Sequence, residues 1–142
     1  MIERVLVPVD GSAQSERACE FVFAECPEAA LVLLHVINPA EAGYSTQAAI
    51  PSASEEWYDR QRELASEHFD DIEAAAAEYG TETERAIEVG KPTRAIVEYA
   101  EEHDVDHIVV GSYGRGGVSR VLLGSVAETV ARRSAVPVTI VR

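Results

Sequence analysis

The stretch His107-Ile108-Val109-Val110-Gly111-Ser112-Tyr113-Gly114 decides the fold. A short apolar strand runs directly into a glycine turn, and nine residues later Gly124-Ser125 opens a helical pattern through Arg133. Glycine lets a main chain come close to a bulky anion, and a helix start offers unpaired N–H groups with a positive dipole end. Together these features hold phosphate in proteins.

Outward from this stretch the same alternation repeats. Ile2 to Val9 begins alternating and turns continuously apolar, as a strand buried on both faces does. Asp10-Gly11-Ser12 is a turn, and Ser12 can cap a helix from about Ala13 to Ala24. Leu31 to Ile37 is a second buried strand, and Asn38-Pro39 opens a loop to about Ser54. A long helix follows from Glu55 to Glu78, with Trp57, Gln61, Leu64, Ala65, His68, Ile72, Ala75 and Tyr79 on one face. Gly80 closes it.

Thr83 to Val89 reads as a third strand, and Gly90-Lys91-Pro92 starts a helix that carries Ile96 and Val97 and ends near His103. His107 to Val110 is the fourth strand. Val138 to Val141, after Pro137, is the fifth. Strand–helix alternation with β-branched strands predicts a single-domain, open, five-stranded parallel sheet with helices on both faces, a Rossmann-like fold spanning residues 1–142.

Composition narrows the function classes. The 142 residues carry 25 acidic and 12 basic side chains, a net charge of −13, and Lys91 is the only lysine. Nucleic acid is disfavoured as a partner, because neutralising phosphates needs clustered Lys and Arg. An acidic surface serves solubility, and the scarcity of lysine points further, to life in high salt, where self-repulsion is screened. No run approaches the roughly 20 apolar residues of a membrane span. Met1-Ile-Glu-Arg enters strand-like sequence at once, so a cytoplasmic protein is expected. Cys19 and Cys26, seven apart on one helix face, sit about 10 Å from each other, too far for a disulfide. They read as buried reduced thiols.

The anion site can be assembled from strand ends. In open α/β sheets ligands sit at the carboxyl ends of strands, where strand order reverses. Glycine turns occur at two such ends, Asp10-Gly11-Ser12 and Gly111 to Gly114. Ser125-Val126-Ala127-Glu128 reads as a capping box, and Arg115 and Arg120 are the cations nearest in sequence. The Walker pattern fails, since no lysine follows the glycines, and the first turn lacks the dinucleotide fingerprint.

Gly111-x2-Gly114-x9-Gly124-Ser125 resembles the ATP-binding signature of the universal stress protein family. The Pro8-Val9-Asp10-Gly11-Ser12 strand end, Leu33 to Ile37 and Val136 to Val141 also resemble that family. The resemblance implies a stress-response binding module for ATP (or AMP or ADP) with Mg²⁺ or Mn²⁺, and a homodimer paired through the last strand, Val136 to Val141. It implies that the Val36 backbone meets adenine, with Pro8 and Val9 lining that pocket. Asp10 and Gly111 would meet the ribose, while Gly114, Gly124, Ser125 and the Val126 N–H hold phosphates. Arg115 joins the expected set, although Arg115-Gly116-Gly117 departs from the family pattern where the γ-phosphate would lie.

Other residues carry competing readings. Asp10 serves a ribose hydroxyl, a metal-bound water or simply its turn, and it has no evident partner for base catalysis. His35 reads as a satisfied core histidine. His103 and His107 end a helix and begin a strand, so a metal pair is not expected. No G-x-S-x-G supports a hydrolase triad. The stripe around Trp57 and Tyr79 reads as core. Two alternatives stay open beside the regulator: a slow ATPase, and a nucleotide-free dimeric adaptor whose unknown protein partner the sequence does not name.

Overall fold

The computed structural model describes residues 2–42, 54–112 and 123–142. Five parallel strands form one sheet: β1 (Arg4–Pro8), β2 (Ala30–Ile37), β3 (Thr83–Val89), β4 (His107–Gly111) and β5 (Val138–Val141). Their order is β3-β2-β1-β4-β5. Among the described residues four α-helices connect them: α1 (Ala13–Glu25), α2 (Glu55–Tyr79), α3 (Pro92–Glu102) and α4 (Ser125–Arg133). A short 3₁₀ turn, Pro39–Glu41, follows β2. The expected α/β class and element sequence hold, with ends shifted by one or two residues.

Strand periodicity explains the layers. Side chains alternate across a sheet, so Val5 and Val7 of β1 and Leu31 and Leu33 of β2 point to the face covered by α1 and α2. Leu6, Val32, Leu34 and Ile108 point to the other, covered by α3 and α4. Both sets are fully buried, which is why these strands read as continuous apolar runs. Burying each such side chain is worth about 1.5–3 kcal/mol relative to exposure.

The long helix carries the clearest correction to the expected core. Its buried residues are Ala65, Phe69, Ile72 and Ala76. Tyr79 is 57% exposed, its ring stacked on Phe23 at 5.2 Å, and Trp57 is only half-buried. The apolar stripe therefore centres on Phe69, a position the expected face leaves out by stepping from Ala65 to His68 and Ile72. Gly80 ends the helix as expected, in the left-handed region (φ 72°), with its N–H on the Ala76 and Ala77 carbonyls.

Arg85 of β3 clasps α2 with a bidentate pair, Nε to Glu73 Oε2 at 2.9 Å and Nη2 to Glu73 Oε1 at 2.7 Å, and a further bond to Asp70. The guanidinium holds the Glu73 carboxyl below its ordinary range. The pair's contribution is therefore present above the usual carboxylate pKa and lost as pH falls through the depressed one.

Both thiols are free. Burial, with Glu16 and Glu20 nearby, pushes the Cys19 thiol up to about 12. Cys26 differs from the expectation: it is half-buried and forms the C-cap of α1, its N–H on the Val22 carbonyl at 2.8 Å. Among the described residues no helix is long and apolar enough to cross a membrane.

The outer face of α2 carries Glu55, Asp59, Glu63, Glu67 and Asp71, all exposed and each four residues from the next. Like charges at that spacing destabilise a helix by about 0.2–0.5 kcal/mol per pair at low salt. Arg62 lies 3.5 Å from Asp59 and relieves one position. Raising KCl from dilute buffer to molar concentration should raise Tm, and Glu63→Lys should reduce that rise. Differential scanning calorimetry of both proteins across the salt series checks this, and a flat wild-type Tm refutes it.

Candidate functional site

A proline opens the site. Backbone groups of successive strand residues face opposite neighbours, and Val9 N–H bonds Leu34 O of β2 at 2.8 Å. Pro8 therefore faces β4, to which it has no N–H to give. The β1–β4 ladder accordingly ends with Leu6 opposite Ile108, whereas the β1–β2 ladder runs on to Pro8 opposite Leu34. With β2 on one side of β1 and β4 on the other, this parting is where strand order reverses.

A cavity of about 310 Å³ occupies the parting. Of the ten expected site residues, Pro8, Val9, Asp10 and Val36 line its β1–β2 side. Gly111, Gly124, Ser125 and Val126 line its β4–α4 side. Gly114 and Arg115 lie outside the described residues. Three further contributors come from elsewhere: Ser12 and Ser15 from the start of α1, and Glu41 from the 3₁₀ turn. Ser15 and Glu41 carry no motif and reach the cavity only through the fold. Ile96 and Pro92 of α3 add apolar wall beside Leu34 and Val110.

Local chemistry shapes each side. Asp10 Oδ1 accepts the Ser12 N–H at 2.9 Å, an Asx turn that swings the chain from β1 into α1. Gly11 sits at φ 81°, and a Cβ there would come 2.6 Å from His68 Nε2. Ser12 caps α1 as expected, its hydroxyl accepting Ser15 N–H at 3.1 Å. His35 is buried, as a core histidine should be, yet it also borders the cavity, with Nδ1 2.7 Å from the Val9 carbonyl oxygen. A carbonyl only accepts, so Nδ1 carries the proton.

Two expectations about the glycines and α4 change. Gly111 does not serve a tight turn; a Cβ there would stand 2.9 Å from Gln14 O and 3.0 Å from its carbonyl carbon, so glycine is needed for α1 to approach β4. The capping box is out of register by one residue. Gly124 is the N-cap, Ser125 the first helical residue, and no side chain caps the helix. Gly124 N–H bonds Ser112 O at 2.7 Å, fixing the helix start against the end of β4. Ser125 is exposed, and Gly124 to Ala127, whose N–H groups lack intrahelical partners at a helix start, line the cavity.

The electrostatics follow from this. The charged side chains lining the cavity are the carboxylates Asp10 and Glu41, so among the described lining residues no Lys or Arg faces it. An anion here would be met by helix N-termini, those of α1, α3 and α4, all of which reach the lining. Among the described residues no group of three or more His, Cys, Asp or Glu could hold a metal ion alone. A hard divalent cation would fit only with Asp10 or Glu41 oxygen and oxygens brought by the ligand.

The universal stress protein family model matches residues 1–142. The chain belongs to the universal stress protein family. Universal stress protein YxiE of Bacillus subtilis is 36% identical over 148 residues, covering 100% of both chains. MJ0577 of Methanocaldococcus jannaschii is 30% identical over 157 residues, covering 100% of this chain and 96% of that protein. Its solved structure superposes with a TM-score of 0.84 at 31% identity, over 99% of this chain and 96% of that one. A universal stress protein solved in complex with cAMP aligns at TM-score 0.67 and 30% identity, over 99% and 97% of the two chains.

For this universal stress protein, Gly111 gives a direct check on the packing at the crevice. Gly111→Ala forces Cβ against the Gln14 main chain, which cannot rotate away, and overpacking of this kind costs about 1–3 kcal/mol. A lowered midpoint in urea, with an unchanged m-value, is the expected outcome.

Proposed function

We propose that this universal stress protein binds an adenine nucleotide, ATP or its mono- or diphosphate, in the crevice between β1 and β4, and works as a regulatory module whose bound ligand alters the surface shown to a protein partner. The observation that carries the reading is the start of α4. An exposed helix N-terminus with no side-chain cap faces a cavity whose opposite wall is apolar. One end suits phosphate and the other a planar base. The relative solved with cAMP supports the same ligand class.

In this reading the base lies between Val36, Pro92 and Ile96, the ribose by Asp10 and Gly111, and the phosphates at Gly124, Ser125 and the Val126 N–H. Gly114 and Arg115 would add to the phosphate end. Mg²⁺ or Mn²⁺ would supply the positive charge that the described lining residues lack, held by Asp10 and phosphate oxygens. In this reading the ligand acts by population shift.

Assembly follows the sheet edges. β5 is paired on one side only, with β4, and all four of its residues are half-buried. The opposite edge, β3, carries Glu84, Arg85 and Glu88. We therefore place the homodimer contact along Val136–Val141. Sedimentation equilibrium at micromolar concentration should give twice the chain mass; a monomer removes this part of the proposal.

Ser125→Pro tests the nucleotide site without unmaking the helix. Proline is favoured at the first helical position, and Gly124 (φ −66°, ψ 152°) already has the conformation a residue before proline needs. The change deletes one N–H and one hydroxyl from the phosphate end. Calorimetric titration should show AMP and ATP affinity falling about tenfold or more, as loss of hydrogen bonds to a charged group requires, while the far-UV spectrum is unchanged. Equal affinity in the two proteins would refute the assignment.

A further inference from the structure

The rungs of the sheet can be followed one by one towards the cavity. Even-numbered residues of β2 face β1: Ala30 N–H bonds Glu3 O at 2.8 Å, and Leu34 O accepts from Val9 N–H at 2.8 Å. Odd-numbered ones face β3: Leu31 N–H bonds Glu82 O at 2.8 Å, and Ile37 O accepts from Gly90 N–H at 2.9 Å. By this parity the main-chain groups of Val36 face β1, and the next rung would be Val36 N–H to Val9 O. That rung is not among the hydrogen bonds of the described residues. The Val9 carbonyl is held instead by His35 Nδ1 at 2.7 Å.

We propose that His35 is a positioning residue that ends the β1–β2 ladder one rung early and so keeps the Val36 main chain available to the ligand's base. The inference deepens the nucleotide reading and rests on it for the ligand class. His35 is 8% exposed and adjacent to Val36, so its ring reaches the Val9 carbonyl from the same strand that supplies the missing rung. The imidazole donates where the Val36 amide would have donated. Val36 lines the cavity, and with that rung unmade its N–H and C=O would be presented there as a donor and an acceptor side by side. An adenine edge, with a bare ring nitrogen and an amino group, complements that pair. A base with a carbonyl and a protonated ring nitrogen at the same places opposes it at both points.

The proposal explains why a strand otherwise built of Ala, Leu, Val and Ile contains a histidine. A leucine at 35 would satisfy the core equally well. It would offer the Val9 carbonyl no donor, and the Val36 amide would close onto it.

Amide hydrogen exchange of the nucleotide-free full chain tests this directly, with AMP and GMP as the titrants. In the wild type the Val36 amide should exchange fast without ligand, and AMP should slow it while GMP does not. In His35→Leu the Val36 amide should be protected without ligand, and AMP affinity should fall about tenfold, the worth of one hydrogen bond. His35→Gln, which keeps a side-chain donor, should restore fast exchange and part of the affinity. A Val36 amide already protected in the ligand-free wild type overturns the proposal whether or not the leucine variant folds. So does unchanged exchange in a folded His35→Leu. Fast exchange in the wild type with protection in the leucine variant, but no AMP binding by either, would uphold the ladder role and sink the nucleotide reading alone.

Discussion

A missing hydrogen-bond donor organises this molecule. Parallel strands are held by regularly spaced N–H and C=O pairs, and a central strand ordinarily gives both edges in full. Pro8 breaks that rule on the β4 side at the last residue of β1. The break costs one ladder bond, and the strands part where α1, α3 and α4 all begin. The Asp10 turn, the Gly111 strand end and the bare start of α4 stand around that parting. A residue with an N–H at position 8 could extend the pairing to β4 and narrow the space that a ligand needs.

The surroundings hold that gap open under load. Leu6, Val32, Leu34 and Ile108 are fully buried beneath α3 and α4, so the sheet cannot flex shut without disturbing close packing. On the opposite face Gly11 and Gly111 admit His68 and Gln14 to contacts that any Cβ would forbid. The cavity is thus fixed by main-chain hydrogen bonding from within and by packing from both faces. Among its described lining residues none is a lysine or arginine, which suits a protein with 12 basic side chains against 25 acidic ones.

Most of the fold was legible because its signals are local. Buried parallel strands announce themselves as apolar runs such as Leu31 to Ile37, and Gly80 and Ser12 mark helix ends by conformations their chemistry favours. Eight of the ten named site residues meet in one cavity because motif residues at strand ends are gathered there by topology. What escaped reading depends on register or on contacts across the chain. Ser125 and Glu128 have capping-box spacing, but the bond from Gly124 N–H to Ser112 O sets the helix start one residue earlier than that pattern needs. Phe69 outranks Trp57 because the sheet below selects the stripe that meets it. Glu41 and Ser15 have no pattern of their own. The reason for Gly111 lies in Gln14, nearly a hundred residues away in sequence.

The two borders of the sheet differ in kind, one set with Glu84, Arg85 and Glu88 and the other with Val138, Thr139, Ile140 and Val141. Joining two copies along the greasy border would consume the only side inviting further growth. What remains outward is ionic on both flanks, and ionic flanks repel newcomers. Such a ribbon would be self-limiting: it would stop at ten strands rather than propagate into a fibre.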